Sequence, residues 1–132
     1  MRYLLTYLTD QSAMADATEE EMRGWMEAWT TFDREAIEAG VLIAGDALED
    51  SSTATTLELK GDGEKVTTDG PFAESKEQLG GFHLLECENL DEALEWARRV
   101  PLRAGFIEVK PVRDLSPLGY RSPTPGPVEV AA

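Results

Sequence analysis

The chain has 132 residues, with 12 Lys and Arg against 26 Asp and Glu, a formal charge of −14, one histidine and one cysteine. That is the length of one ordinary domain, and its excess acid argues against nucleic acid and anionic membranes, which are bound through lysine and arginine footprints. The single Cys87 excludes an intramolecular disulfide and a cysteine-based zinc cluster, and the single His83 excludes a two-histidine metal site within one chain, so neither metal nor cofactor is expected.

Arg2 to Thr9, RYLLTYLT, is a short β-prone run that reads as a strand. It turns polar too soon for a signal peptide, and no run reaches the ~18 apolar residues of a membrane helix, so the cytoplasm is the expected compartment. Ala13 to Ala17 reads as a small-residue loop. Thr18 and Glu21 have the spacing of a capping box, and Glu19 to Glu21 lie where the helix dipole is positive. Met22, Trp25, Met26, Trp29, Phe32, Ala36 and Ile37 then form one apolar stripe at helical period, which predicts a core-facing helix stopped by Gly40.

Val41 to Leu48 predicts a second strand. Thr55, Leu57 and Leu59 alternate with polar residues, as in a half-buried strand, and Gly61-Asp62-Gly63 turns it into a returning strand over Lys65 to Asp69. Gly70-Pro71 breaks that strand, Phe72 to Gly80 is a polar loop, and Gly81 to Glu88 reads as a further strand. Asn89 caps a second helix with Glu92 three residues on. Its buried face is Leu90, Ala93, Leu94, Trp96, Ala97 and Val100, and Pro101 ends it. Gly105 to Val112 is the last strand.

Residues 1–113 therefore read as one domain and residues 114–132 as a tail. Pro117, Pro123, Pro125 and Pro127 and the lack of an apolar period make the tail extended or partly disordered, with Leu118 and Tyr120 as residues that could pin its first half.

The order is β-α-β, a β-hairpin, then β-α-β. This predicts an α+β ferredoxin-like sandwich with the hairpin inserted, both helices on one sheet face. The other face is too apolar to be left wet, and a second copy is expected to cover it as a homodimer. The acidic stretch from Asp10 to Asp50, twelve acids against Arg23 and Arg34, and the basic stretch from Arg98 to Arg113 read as solvated surfaces, or as complementary patches between two copies.

Thr68 to Phe82, TDGPFAESKEQLGGF, resembles the signature of the DGPF-domain branch of the YCII-related family. AGVLIAGDAL from Ala39, NLDEALEWARRVP from Asn89 and IEVKPV from Ile107 agree with it, and the likeness runs from Met1 to about Val112. The resemblance implies a dimeric α+β barrel in which two sheets pair face to face. It also implies one of two functions. Enzymes of the wider fold perform acid–base chemistry on small unsaturated acids, whereas other DGPF proteins are associated with extracytoplasmic-function sigma factors as sensors or accessory proteins. The resemblance further brings a histidine–aspartate pair whose histidine lies in the first helix region. Thr18 to Ala39 holds no histidine, so that pair does not carry over, and the family's Gly-Pro turn after the second strand stands here as Gly45-Asp46.

Asp69 and His83 are the candidate catalytic residues. Asp69 ends a strand where the backbone turns sharply, which suits a general base in a cleft or an acceptor for the turn's N–H groups. His83 shares a strand face with Gly81, Leu85 and Cys87. If the helices cover Phe82 and Leu84 instead, His83 looks into the dimer barrel, either at a ligand or packed in its core. Asp46, Gly70, Pro71, Phe72, Glu74, Lys76 and Tyr3 are candidate ligand-binding residues. Glu74, Lys76 and Glu77 also fit a solvated loop, and Tyr3 and Tyr7 are expected to fill space. Cys87 has no basic neighbour to activate it and reads as a buried structural thiol. Two functions follow: a small-molecule-binding, accessory or sensing homodimer, or an acid–base lyase or isomerase acting on a small unsaturated organic acid.

Overall fold

Side chains of Arg2–Thr9 alternate across a strand, and this alternation sets the architecture. In the computed structural model, which describes residues 1–130, this segment is strand β1. Tyr3, Leu5 and Tyr7 are buried on one of its faces, and Leu4, Thr6 and Leu8 are half-buried on the other. Helix α1 (Glu19–Glu38) starts where expected. The Thr18 hydroxyl accepts from the Glu21 N–H at 3.1 Å, with three glutamates in the first turn. Gly40, with φ of 75°, turns the chain out of the helix into β2 (Leu42–Ala47). Strands β3 (Thr55–Leu59) and β4 (Lys65–Asp69) follow, then β5 (Gln78–Glu86), α2 (Leu90–Arg99) and β6 (Phe106–Pro111). Asn89 caps α2 by accepting from the Glu92 N–H at 3.0 Å.

The strands form a four-stranded sheet in the order β2-β5-β1-β6, antiparallel between neighbours, and a separate two-stranded sheet of β3 and β4. The protein is thus mixed α+β, with a sheet that is open rather than closed into a barrel. Phe32 and Ala36 of α1 and Ala93, Trp96 and Ala97 of α2 join Tyr3, Leu5, Tyr7, Leu85 and Cys87 in one core. Both helices therefore cover the same face. Leu5 and Leu85 at its centre are fully buried, each contributing roughly 1.5–3 kcal/mol of transfer free energy.

Three expectations change. The helices cover the strand face that carries His83, Leu85 and Cys87, and it is Phe82 and Leu84 that lie on the helix-free side. Both β1 faces are apolar, so the sequence pattern alone did not choose between them. Leu57 and Leu59 are exposed, because the β3–β4 hairpin stands off the main sheet instead of packing half-buried. Met22 and Met26 are exposed as well: the first half of the α1 stripe overhangs cavities, and only its second half enters the core.

The tail makes defined contacts. Its Leu118 and Tyr120 are exposed and do not pin it. Instead the Arg2 guanidinium donates to the carbonyls of Thr124 and Pro125, and the Val128 N–H donates to the Leu42 carbonyl at 2.7 Å. Ile43, at the β2 bulge, is buried yet stands outside the core cluster, next to the residue that holds Val128.

Candidate functional site

On β5, His83 projects to the helix side, opposite Leu5 of β1 and Gly45 of β2. The imidazole is buried between α1 and the sheet. Trp29 stacks on it with centroids 6.0 Å apart and planes 6° from parallel, and Phe32 meets it edge-on at 5.0 Å. Room for the ring exists because residue 45 is glycine. A Cβ there would overlap His83 Cδ2 and stand 2.9 Å from Nε2.

Both ring nitrogens are engaged. Nε2 lies 2.7 Å from Oδ1 of Asp33, on α1, and Nδ1 lies 2.6 Å from the hydroxyl of Tyr7, on β1. A carboxylate only accepts, so Nε2 carries the hydrogen in that bond. In the neutral imidazole Nδ1 then accepts from the Tyr7 O–H, which completes a chain Tyr7–His83–Asp33. Burial, and secondarily the negative charge of Asp33, hold the Tyr7 phenol well above its ordinary pKa of 10.0, so it stays a donor. Among the described residues no buried side-chain nitrogen or oxygen lacks a partner.

The chain of bonds opens at its acidic end. The His83 side chain is 7% exposed and that of Asp33 46%. The more familiar arrangement, with carboxylate inside and imidazole outward, is reversed. Asp33, His83, Tyr7 and Trp29 line a cavity of about 330 Å³, together with Thr9, Met26, Leu102 and the backbone of Gly45, Gly80 and Gly81. A second cavity of about 890 Å³ shares Thr9, Met26, Trp29 and Leu102 with it and extends toward Trp25, Lys76 and Arg103.

Of the residues expected from the sequence, His83 and Asp46 line the smaller cavity. Asp46 is exposed, and by strand alternation its side chain stands on the face opposite Gly45 and His83. Lys76 lines the larger cavity and Tyr3 is core. Asp69 lies apart from His83, exposed at the end of β4 in the two-stranded sheet. It lines neither cavity, and its carboxylate makes no hydrogen bond among the described residues. Gly70, at φ of 101°, holds the turn after β4 with its N–H on the Ala54 carbonyl. Pro71 is half-buried, while Phe72 and Glu74 are exposed away from both cavities. Cys87 is buried, and that burial, with Glu92 nearby, pushes its thiol up to about 11, which suits an inert thiol.

Asp33, Trp29 and Tyr7 are the residues that reading the sequence did not single out as a site. One signal was present. Asp33 stands four residues after Trp29 and seven after Met26, so it is a carboxylate set within the apolar stripe of α1. The sequence comparison with known proteins places the whole domain. A family model described as the YCII-related domain matches residues 1–116.

The chain belongs to the YCII-related family. A relative from Rhizobium meliloti (strain 1021), "Uncharacterized protein R00369", is 37% identical over 115 residues, covering 85% of this chain and 92% of the relative. Within this YCII-related domain His83 and Asp33 form a histidine–aspartate pair of a different make-up. Here the aspartate, not the histidine, comes from the first helix, and the histidine comes from β5. The pair with its histidine in the first helix stays absent, as α1 holds no histidine; His83 and Asp33, fifty positions apart, meet only in the folded chain.

Proposed function

We propose that this protein binds a small molecule in the cavity beside His83 and performs acid–base chemistry on it, with Asp33 as the general base. The observation that carries the reading is the Tyr7–His83–Asp33 chain, with bonds of 2.6 and 2.7 Å, opening at Asp33 into a cavity of about 330 Å³. Oδ1 of Asp33 is held by the imidazole, and Oδ2 makes no hydrogen bond among the described residues, so it can take a proton from a bound ligand. His83 fixes the carboxylate and stabilises its charge, while Tyr7 fixes the ring's tautomer. These roles suit an isomerase, in which the group that removes a proton returns it to another atom, or a lyase, in which the electrons left by the proton expel a leaving group on the neighbouring atom. The working pair is Asp33 and His83, rather than Asp69 and His83.

The reading extends to assembly. The Thr68–Phe82 segment supports membership of the DGPF branch. The strand order and paired helices support a ferredoxin-like sandwich whose helix-free face pairs with a second copy to make a dimeric α+β barrel. Half-buried Leu4, Leu8, Phe82 and Leu84 and exposed Phe106 are the surface such pairing would cover.

The test is proton exchange. Small ketones, lactones, unsaturated carboxylates and amino ketones are incubated with the protein in D2O and followed by NMR. Exchange of a carbon-bound proton, lost in both Asp33→Asn and His83→Gln, is expected; exchange that survives Asp33→Asn overturns the assignment. The apolar walls of the cavity favour a second reading, a binding or accessory protein, including one serving an extracytoplasmic-function sigma factor. Saturable binding with no exchange across the panel would decide for it.

A further inference from the structure

The charges around the cavity bear on what enters it. Asp33 and Asp46 are the carboxylate residues lining the cavity beside His83, and no lysine or arginine lines it. The adjoining larger cavity has four carboxylates and two cations on its walls. The Arg103 guanidinium lies over the Trp25 ring, 4.6 Å from its centroid, and Lys76 is exposed. The whole chain carries −14.

Inside the His83 cavity a ligand carboxylate would therefore meet Asp33 with no lysine or arginine on the walls to receive it. A protonated amine would meet a carboxylate that faces no lysine or arginine, at the mouth of the His83 pocket beside the indole of Trp29 and the thioether of Met26. We infer that the site takes a small organic cation, a primary ammonium on a short apolar body, and not the organic acid that the family resemblance implied. The inference rests on the reading of Asp33 as the carboxylate that faces the ligand. The ammonium pairs with one lone pair of Asp33 Oδ2 and leaves the other facing the ligand for proton transfer, and the apolar body lies among Trp29, Met26 and Leu102.

Three probes of one shape test it: benzylammonium, benzyl alcohol and phenylacetate, titrated at neutral pH against the full chain. Binding is read from tryptophan fluorescence and from the His83 ring signals in NMR. Benzylammonium is expected to saturate in the millimolar range or tighter, about 10-fold more tightly than either other probe. Asp33→Asn is expected to remove that preference. In the unaltered protein, raising ionic strength is expected to weaken benzylammonium and leave benzyl alcohol unchanged, which keeps the test independent of how the variant folds. Phenylacetate binding as tightly as benzylammonium, a failure of benzylammonium to saturate, or a preference unchanged by salt would overturn the inference. Benzylammonium binding without proton exchange in any compound sinks the acid–base reading alone. Exchange on an anionic compound, with no benzylammonium binding, sinks the charge inference alone.

Discussion

Gly45→Ala is the sharpest probe of the site, because one methyl group is aimed at His83. The new Cβ would overlap Cδ2 and stand 2.9 Å from Nε2, closer than van der Waals contact allows. The ring cannot slide away without loss. Trp29 stacks on it, Phe32 abuts it, and its two nitrogens are tied to Tyr7 and Asp33. Overpacking of this kind costs typically 1–3 kcal/mol. For a chain of this size that lowers the melting temperature by roughly 4–12 °C. If the ring moves off Asp33 the Nε2–Asp33 bond lengthens, and if β2 shifts from β5 instead the cost falls on the pairing of those two strands. Thermal melts followed by circular dichroism give the stability, and the His83 ring signals report the bond. Gly24→Ala is the control. Gly24 lies inside α1 with nothing within 4 Å of a Cβ, so alanine there is expected to stabilise by about 0.5–1 kcal/mol through helix propensity. If Gly45→Ala melts with the parent and keeps its His83 signals, the ring is not wedged as described and the argument for the site's geometry fails.

Three further outcomes follow from the same contacts. Tyr7→Phe leaves Nδ1 of buried His83 without its donor and should cost about 1–3 kcal/mol at neutral pH, measured by urea unfolding. The folded phenol titrates above the unfolded value of 10.0, so its contribution is complete below pH 10 and is lost as pH rises beyond it; Tyr7→Phe should flatten that alkaline loss. Ending the chain at Ser122 removes the contacts with Arg2 and Leu42. It should leave a folded domain weakened by about 1–2 kcal/mol, and an unchanged melting temperature would show that these contacts contribute nothing. Asp69→Ala, at an exposed carboxylate without a hydrogen bond among the described residues, should fall within about 0.5 kcal/mol of the parent, and a larger loss would restore it as a turn acceptor.

Local chemistry made much of this protein readable from its residues. The Thr18 and Asn89 caps, the Gly40 stop, the Gly61–Gly63 turn and the period-two strands each depend on neighbours within a few positions. Such signals are complete in the sequence, and among the described residues they placed both α-helices and all six strands. The sequence also supplied His83 as the one imidazole to watch. What it left undecided was which sheet face the helices cover. Tyr3, Leu5 and Tyr7 compete with Leu4 and Leu8 as apolar faces of one strand, and a one-residue change of parity inverts the assignment. Only the packed molecule chose, by setting Phe32, Ala36, Trp96 and Ala97 over the odd-numbered face. With that choice His83 turned from the open side of the sheet to the underside of α1, and Asp33 became its partner across fifty residues. A pair that joins a helix to a strand exists through contact in space, which no spacing along the chain encodes.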